Sequence, residues 1–346
     1  MLVRQGAYWH DLAMDRAVVK RVTRERLDHF MARANARYYA THDPFRDFTT
    51  APEISQVFGE LLGLWAAVTW QTLGCPSPVL FVEAGPGRGT LMADALRAIA
   101  QAAPAFAAAA AVHLIETSPR LRDIQRQRVG AAMWHDAIDS LPEAPMILLG
   151  NEFLDALPIR QFVCRGAGWT ERFVGPDGFV EEPSCYRPAT EAAEGDISER
   201  REAAEALARA IAARSARHRG AALFVDYGPE HGGTGDSLQA IAGGQPADPL
   251  GSPGEADLTA HVDFAAFGAA ARSAGAAVHG PIPQGLFLAR LGLFQRTNQL
   301  ARGLPPKQAM AMIEGAKRLA EPDRMGRLFK TIALVSAGSV APPGFA

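Results

Sequence analysis

The chain has little of what marks secreted, membrane or nucleic-acid-binding proteins. Its three cysteines, Cys75, Cys164 and Cys185, are scattered and form no C-x-x-C pair, which argues against a disulfide framework or a structural zinc site. It has no run of about eighteen apolar residues and no signal-peptide segment at its start. Its net charge of −2 indicates no surface for polyanions. We therefore expect a soluble, unsecreted protein of a reducing compartment, without a nucleic-acid partner.

Length and composition favour a large α/β protein. Hydrophobic residues make up 48% and charged residues 21% of 346 residues, so the chain can bury a sizeable core. This length predicts one large domain with insertions, or a domain plus a smaller lobe. We place an N-terminal helical and lid segment at residues 1–76 and the main domain at residues 77–340.

A glycine-rich turn follows the first strongly apolar segment. The buried strand predicted at residues 79–82 ends in Glu83. The residues after it suit a tight turn and the start of a helix: Gly85, Gly87, Gly89 and Thr90. A nicotinamide-type fingerprint would need its third glycine one residue later and its acid about twenty residues downstream. An acid directly before G-x-G-x-G is the arrangement of S-adenosylmethionine (SAM) methyltransferases. An ordinary tight turn is the alternative.

Acids near further strand ends extend this predicted cofactor site. The strand at residues 112–116 ends in Glu116, followed by Thr117, where a carboxylate can accept both ribose hydroxyls of a nucleoside. Asp136 follows a third strand at residues 131–134, where an adenine amino group needs an acceptor. The alternative for Glu116 is a chance acid at a strand end.

Two later strands end in acids beside the expected position of the methyl group. The strand at residues 145–150 runs into Asn151 and Glu152, and the strand at residues 222–228 carries Asp226 near its end. Ligands of open α/β sheets bind beyond the carboxyl ends of the strands, so these residues should face the transfer. The alternatives are a helix cap for Asn151 and Glu152 and a hydrogen-bonded strand end for Asp226.

An aromatic and acidic segment precedes the glycine-rich turn and suits a lid over a bound ligand. Residues 15–39 have the apolar spacing of a helix, and a second helix is predicted from residue 52 to about residue 73, with a capping box at its start. The predicted lid residues are Tyr38, Tyr39, Asp47, Phe48, Thr50, Pro52 and Glu53. A surface loop with packed aromatics is the alternative.

The remaining segments predict insertions and further helices. Residues 159–185 predict inserted β-hairpins, residues 191–218 a helix, and residues 228–257 a long loop that is either functional or disordered. Further helices are expected at residues 263–273, 292–300 and 305–319, a strand at 328–336, and a tail from 342.

Several strings of the chain occur together in one known family. They include TAPEISQVFGE at residues 50–60, EAGPGRGT at 83–90, NEFLDALP at 151–158 and DLTAHVDF at 257–264. Together they resemble the MidA-like family of SAM-dependent methyltransferases over nearly the whole chain. Arg37 and Arg46 depart from the family pattern, each where a glycine is usual, and both touch the predicted lid.

The resemblance implies a Rossmann-like class I SAM methyltransferase fold with a doubly wound, mostly parallel sheet, and SAM as the cofactor. The family includes a mitochondrial complex I assembly factor that acts as a protein arginine methyltransferase. It therefore implies arginine methylation of a respiratory complex I subunit, in the cytoplasm of a bacterium or the mitochondrial matrix of a eukaryote. A non-catalytic SAM-binding assembly chaperone and a small-molecule methyltransferase are the alternatives.

Carboxylates are the expected catalytic groups, and no metal is required. A guanidinium is protonated, with a pKa above about 12, so carboxylates must orient its planar fork and take up charge as a proton leaves. Glu152 is the first candidate, with Asp155 and Asp226 in support.

Overall fold

A seven-stranded sheet forms the centre of the molecule. The computed structural model describes residues 24–42, 49–166, 168–188 and 191–345. In spatial order the strands are β14 (Ala277–Pro283), β15 (Phe329–Val335), β10 (Gly220–Tyr227), β5 (Met146–Asn151), β2 (Val79–Ala84), β3 (Ala110–Ile115) and β4 (Met133–His135). Only the pairs that β15 makes with β10 and β14 are antiparallel. The predicted Rossmann-like, mostly parallel sheet is confirmed.

Helices cover both faces of this sheet. One face carries α3 (Gln56–Thr72), α4 (Thr90–Ala102), α5 (Pro104–Ala109), α9 (Gln284–Arg290), α10 (Leu293–Ala301) and α11 (Pro306–Ala320). The other carries α7 (Glu202–His218) and α8 (Phe264–Ser273). Neighbouring strand residues alternate between the two cores, as Phe81 and Val82 do, which buries each strand on both sides. The remaining helices are α1 (Leu27–Thr41), α2 (Ala51–Ile54), α6 (Pro119–Val129) and α12 (Met325–Leu328).

Helices α3 and α4 approach closely because glycines line their contact. A Cβ at Gly63 would lie 2.7 Å from Ala95 Cα, and one at Gly59 would lie 2.7 Å from Asp94 Cβ. Helix α4 begins at the glycine-rich turn. The packing of α3 therefore fixes the position of that turn.

Two smaller antiparallel sheets flank the central one. The first joins β1 (Glu25–Arg26), β6 (Arg160–Arg165), β7 (Gly168–Gly175), β8 (Gly178–Ser184) and β9 (Ile197–Arg200), and its hairpins confirm the predicted insertion. The second joins β11 (Gln239–Ala242), β12 (Gln245–Ala247) and β13 (Asp257–Thr259). The long loop predicted at residues 228–257 is therefore partly a sheet.

Several predicted boundaries are wrong. The helix placed at residues 15–39 starts at Leu27, after a strand, and residues 15–23 lie outside the described part of the chain. The helix placed at residues 191–218 starts at Glu202, because residues 197–200 pair with β6. A strand and helix at residues 277–290 were not predicted.

The C-terminal residues are packed rather than a free tail. The Phe345 ring lies 5.3 Å from that of Phe287, and the indole of Trp65 donates a 3.2 Å hydrogen bond to the carbonyl of Pro343. Among the described residues, no helix combines the length and the apolar character that crossing a bilayer requires.

Candidate active site

A cavity of about 650 Å³ opens beyond the carboxyl ends of β2, β3 and β5. Its walls come from the glycine-rich turn, from residues 115–117 and 136–138, and from residues 151–153 and 156–158. One face of α1 and the first turns of α7 complete it. The cavity lies where open α/β sheets bind ligands, and its volume suits a small-molecule cofactor with part of an acceptor.

The glycine-rich turn needs its glycines. Gly85 has a φ of 64° and Gly89 a φ of 77°, both in the left-handed region that other residues avoid. A Cβ at Gly85 would lie 2.7 Å from the Phe153 ring, and one at Gly89 would lie 2.8 Å from Val129. Gly85, Gly87 and Thr90 line the cavity, whereas Gly89 does not. The turn therefore brings bare backbone to the cavity wall.

Glu83 lies one residue before the end of β2, lines the cavity and is 3% exposed. Its Oε2 atom is buried and has no hydrogen-bond partner among the residues that the structure describes. Burial raises the pKa of Glu83 from the usual 4.5 to about 8, although a hydrogen bond from the Met92 backbone acts in the opposite direction. A buried carboxylate oxygen without a donor fits a cationic amino group, such as that of the methionine part of SAM.

Glu116 lies at the wall expected for the nucleoside. Its Oε1 accepts the Ser118 N–H at 2.7 Å and its Oε2 accepts the Gln125 amide at 3.2 Å, while burial raises its pKa. Each oxygen keeps a second lone pair for a ribose hydroxyl. Thr117 lines the same wall, and Asp136 lies across from it with one oxygen 2.7 Å from Arg122.

Glu152 is the acid that the fold places at the predicted transfer position. It follows β5 directly and has a φ of 49°, which is rare for a side chain of this size. Its Oε1 accepts the Ala51 N–H at 3.1 Å and the Asn151 amide at 2.9 Å. Its Oε2 forms no hydrogen bond with any residue that the structure describes. Burial raises the pKa of Glu152 from 4.5 to about 7.

The two supporting acids lie behind this wall. Asp226 is 1% exposed and does not line the cavity; its Oδ2 accepts the N–H groups of Phe153, Leu154 and Asp155 at 3.1, 2.8 and 3.2 Å. Asp155 is also buried behind the wall, where burial raises its pKa. Both acids hold the turn after Glu152. Their positions favour this supporting role over direct contact with an acceptor.

The lid residues divide into three groups. Tyr39 lines the cavity and its hydroxyl donates to Asp257 Oδ1 at 2.7 Å, whereas Tyr38 is buried and stacks on the His42 ring at 5.0 Å. Thr50, Pro52 and Glu53 line the cavity as well. Asp47 and Phe48 lie outside the described residues.

The predicted capping box at Thr50 and Glu53 is wrong. Thr50 makes no side-chain cap, and Ser55 interrupts the predicted helix and caps its second part. The Glu53 carboxylate instead accepts the hydroxyl hydrogen of Thr90 and lies 3.6 Å from Arg128. It thereby ties α2 to the glycine-rich turn.

Two arginines that sequence reasoning missed organise the site. Arg122 donates to the Glu116 carbonyl at 2.7 Å as well as to Asp136, and Arg201 donates to carbonyls of the turn after Glu152. Nothing in their spacing distinguishes them from the many exposed arginines beside them. Their role becomes visible only in the folded protein, where each arginine contacts segments that follow the strand ends.

Comparison with known proteins decides the family. The model of a family described as S-adenosyl-L-methionine-dependent methyltransferases matches residues 61–282. This chain belongs to that family. It is therefore a SAM-dependent methyltransferase, as the motifs predicted, and the orphaned oxygen of Glu83 and the bare turn at Gly85 fit SAM.

Relatives and solved structures agree with this assignment. A Drosophila melanogaster protein named protein arginine methyltransferase NDUFAF7 homolog, mitochondrial, is 33% identical over 86% of this chain and 78% of its own. The Homo sapiens protein arginine methyltransferase NDUFAF7, mitochondrial, is 33% identical over 84% of this chain and 73% of its own. A COG1565 superfamily member from Burkholderia thailandensis, crystallised with S-adenosyl-homocysteine, has a TM-score of 0.79 at 29% identity and covers 94% of this chain and 91% of its own.

Proposed function

We propose that this methyltransferase transfers the methyl group to arginine side chains of a protein, with Glu152 as the residue that receives the acceptor guanidinium. The observation that carries the proposal is the Glu152 carboxylate. One oxygen is fixed by Ala51 and Asn151, and the other, at the cavity wall, has no donor in the described part of the chain. A guanidinium is a planar donor of several N–H groups and suits such an oxygen.

The raised pKa of Glu152 suits proton uptake. SAM, when bound, supplies an electrophilic methyl carbon on a sulfonium. The guanidinium nitrogen forms a bond to that carbon as the carbon–sulfur bond breaks, and it loses one proton, so the methylated guanidinium keeps a single positive charge. A carboxyl with a pKa of about 7 is a stronger base than an ordinary glutamate and is still ionised in part at neutral pH.

Glu53 offers a second carboxylate in the same cavity. It comes from α2, three residues after Thr50, and so approaches from the side of the predicted lid. Two acids from different elements can orient one guanidinium fork. The remaining groups proposed to hold SAM line the cavity: Glu83, Gly85, Gly87, Thr90, Glu116, Thr117, Asp136 and Asn151. Gly89 is proposed to act with them by shaping the turn, since it packs against Val129.

The names of the relatives support arginine as the acceptor. Two of them are called protein arginine methyltransferase and mitochondrial. A respiratory complex I subunit as the target, with a role in assembly of that complex, rests on the family resemblance. If the source is a eukaryote, the proposed location is the mitochondrial matrix. If the source is a bacterium, the proposed location is the cytoplasm, which the names of the relatives do not support.

Labelling separates this proposal from its competitors. The purified protein and methyl-labelled SAM are incubated with a protein extract of the source cell, and labelled proteins are hydrolysed to amino acids. The proposal expects labelled methylarginine with the wild-type chain and none with Glu152→Gln. Label in a soluble metabolite or on another amino acid would overturn it, and the absence of label would favour the assembly chaperone.

A further inference from the structure

The turn after Glu152 is held by opposite charges on its two polar sides. Residues 153–155 direct their N–H groups to Asp226, as described above. The carbonyls of the same turn face Arg201, whose Nη1 donates to Leu154 at 2.7 Å, to Asp155 at 2.8 Å and to the carbonyl of Leu157. One carboxylate and one guanidinium therefore fix the backbone of a single short turn.

Arg201 also anchors this turn to a second segment. Its Nη2 donates to the carbonyls of Ala260 at 2.7 Å and His261 at 3.2 Å, which lie between β13 and α8. The side chain spans five carbonyl oxygens and is 6% exposed. Burial lowers the pKa of Arg201, and the charges of Asp155 and Asp226 partly offset this. The four N–H groups on Nη1 and Nη2 serve these five acceptors, so at least one N–H group is shared, while Nε has no hydrogen-bond partner among the described residues.

Asp226 and Arg201 together form a clamp on the turn, and this clamp acts directly beside a strained residue. Glu152 has a left-handed φ of 49°, and its N–H donates to the Val225 carbonyl at 2.9 Å, next to Asp226. Left-handed backbone at a glutamate is strained and persists only where neighbouring contacts impose it. Asp226 and Arg201 supply those contacts from the two sides of the following residues.

We propose that Arg201 is a positioning residue for methyl transfer: with Asp226 it holds the turn that aims the Glu152 carboxylate into the cavity. The proposal rests on the proposed role of Glu152. Arg201 itself touches neither the cavity nor a reacting atom, since its contacts are all with backbone carbonyls behind the wall. Its neighbour Arg200 ends β9 and lines the cavity, so the clamp also joins the inserted sheet to the Glu152 turn.

A purely stabilising role would give different results, and the chain offers a matched control. Arg214 is another buried arginine of α7, is 5% exposed and donates to the carbonyl of Pro142. It lines no part of the cavity, and its hydrogen bond goes to Pro142 rather than to any of residues 152–158. The substitutions Arg201→Lys and Arg214→Lys both keep the charge and both remove a buried guanidinium that donates to backbone carbonyls, five of them at Arg201 and one at Arg214.

The test has three measurements on the full-length protein. The first is the binding of S-adenosyl-homocysteine by calorimetry. The second is the titration of the Glu152 carboxyl by NMR of protein carrying ¹³C-labelled glutamate, assigned with Glu152→Gln. The third is methyl transfer to the protein extract, split into kcat and KM. All are made at a temperature at which thermal unfolding shows each variant to be folded.

We expect Arg201→Lys to lower kcat by roughly 100-fold with product affinity within threefold, because displacement of about 1 Å at a reacting group costs that much. The Glu152 titration midpoint should fall by about one pH unit or more, because a loosened turn admits water and removes the burial that raises its pKa. The charged groups around Glu152 are Asp155, Asp226 and Arg318, and the substitution removes none of them. Arg214→Lys should change thermal unfolding only, and should leave kcat, product affinity and the Glu152 titration midpoint as they are in the wild-type chain.

Equal behaviour of the two lysine variants would overturn the proposal, as would an unshifted Glu152 midpoint in Arg201→Lys. If Arg201→Lys does not fold, Asp226→Asn tests the other side of the turn: the amide has one oxygen where the carboxylate uses two, and kcat should again fall with product affinity kept. If the wild-type chain labels no protein, the proposed function fails, while the titration still decides whether Arg201 positions Glu152.

Discussion

The carboxylate of Glu152 accepts the backbone N–H of Ala51 at 3.1 Å. This bond joins the turn after β5 to the first residue of α2, two segments that are 101 residues apart in the chain. The transfer side of the cavity is therefore built from the predicted lid and the central sheet together. A change at Glu152 affects both.

The first prediction concerns the charge of Glu152. Glu152→Gln keeps an oxygen that can accept from Ala51 but removes the base, so methyl transfer should fall by about 10²–10⁴-fold. Most groups proposed to hold the cofactor follow β2 and β3, so the affinity for S-adenosyl-homocysteine should stay within a few-fold. Calorimetry and label transfer measure the two quantities. Unchanged transfer would remove Glu152 from the mechanism.

The pH dependence of transfer gives a second prediction. The folded protein raises the pKa of Glu152 from 4.5 to about 7, so the carboxyl keeps its proton up to neutral pH. The base form is present above that pH and is lost below it. The rate under limiting substrate should therefore fall as pH decreases through about 7. A profile that stays flat down to pH 5 would contradict this assignment.

The third prediction is that cofactor binding releases a proton from Glu83. Burial raises the pKa of Glu83 to about 8, so the carboxyl is mostly protonated at pH 7. An ammonium group at its unpartnered oxygen stabilises the charged form and lowers that pKa. Binding of S-adenosyl-homocysteine at pH 7 should release protons, seen as a dependence of the calorimetric enthalpy on buffer ionisation. In Glu83→Gln that contribution should disappear; its persistence would point to another group.

The fourth prediction separates Glu116 from its neighbours. Glu116→Ala removes the acceptor proposed for the ribose hydroxyls, and hydrogen bonds to charged groups contribute about 1.5–3 kcal/mol, so affinity for S-adenosyl-homocysteine should fall by about 10–100-fold. Asp123→Ala on α6 is the control, since that acid pairs with Arg126 in solvent. Equal affinity in the two variants would mean that the nucleoside lies elsewhere.

The sequence predicted those parts of the site whose signals are local. Glu83 and Glu116 follow short apolar runs, and the glycine spacing requires a turn, so each was predicted from a few adjacent residues. The strand at residues 197–200 was missed because it precedes an alanine-rich helix and pairs with a distant strand: its Glu199 lies opposite Gln161 of β6, 38 residues away. Arg201 was missed for the same reason: its acceptors come from two distant segments.

The fifth prediction tests whether the α3–α4 contact positions the cofactor turn. In Gly63→Ala the new Cβ would meet the Ala95 Cα at 2.7 Å and the Ala95 carbonyl at 2.8 Å, both backbone atoms that cannot rotate away. Overpacking costs about 1–3 kcal/mol, and the better helix propensity of alanine returns about 0.8–1.0 kcal/mol, so the free energy of unfolding should fall by up to about 2 kcal/mol.

The same substitution should weaken product binding, because a displaced α4 carries Thr90 and the glycine-rich turn with it. Gly233→Ala is the control, since a Cβ there meets nothing within 4 Å. Urea unfolding and calorimetry on both variants measure the effect. If Gly63→Ala lost stability but bound S-adenosyl-homocysteine like the control, the turn would hold its shape through Gly85, Gly89 and the Phe153 ring alone, and the α3–α4 contact would serve stability only.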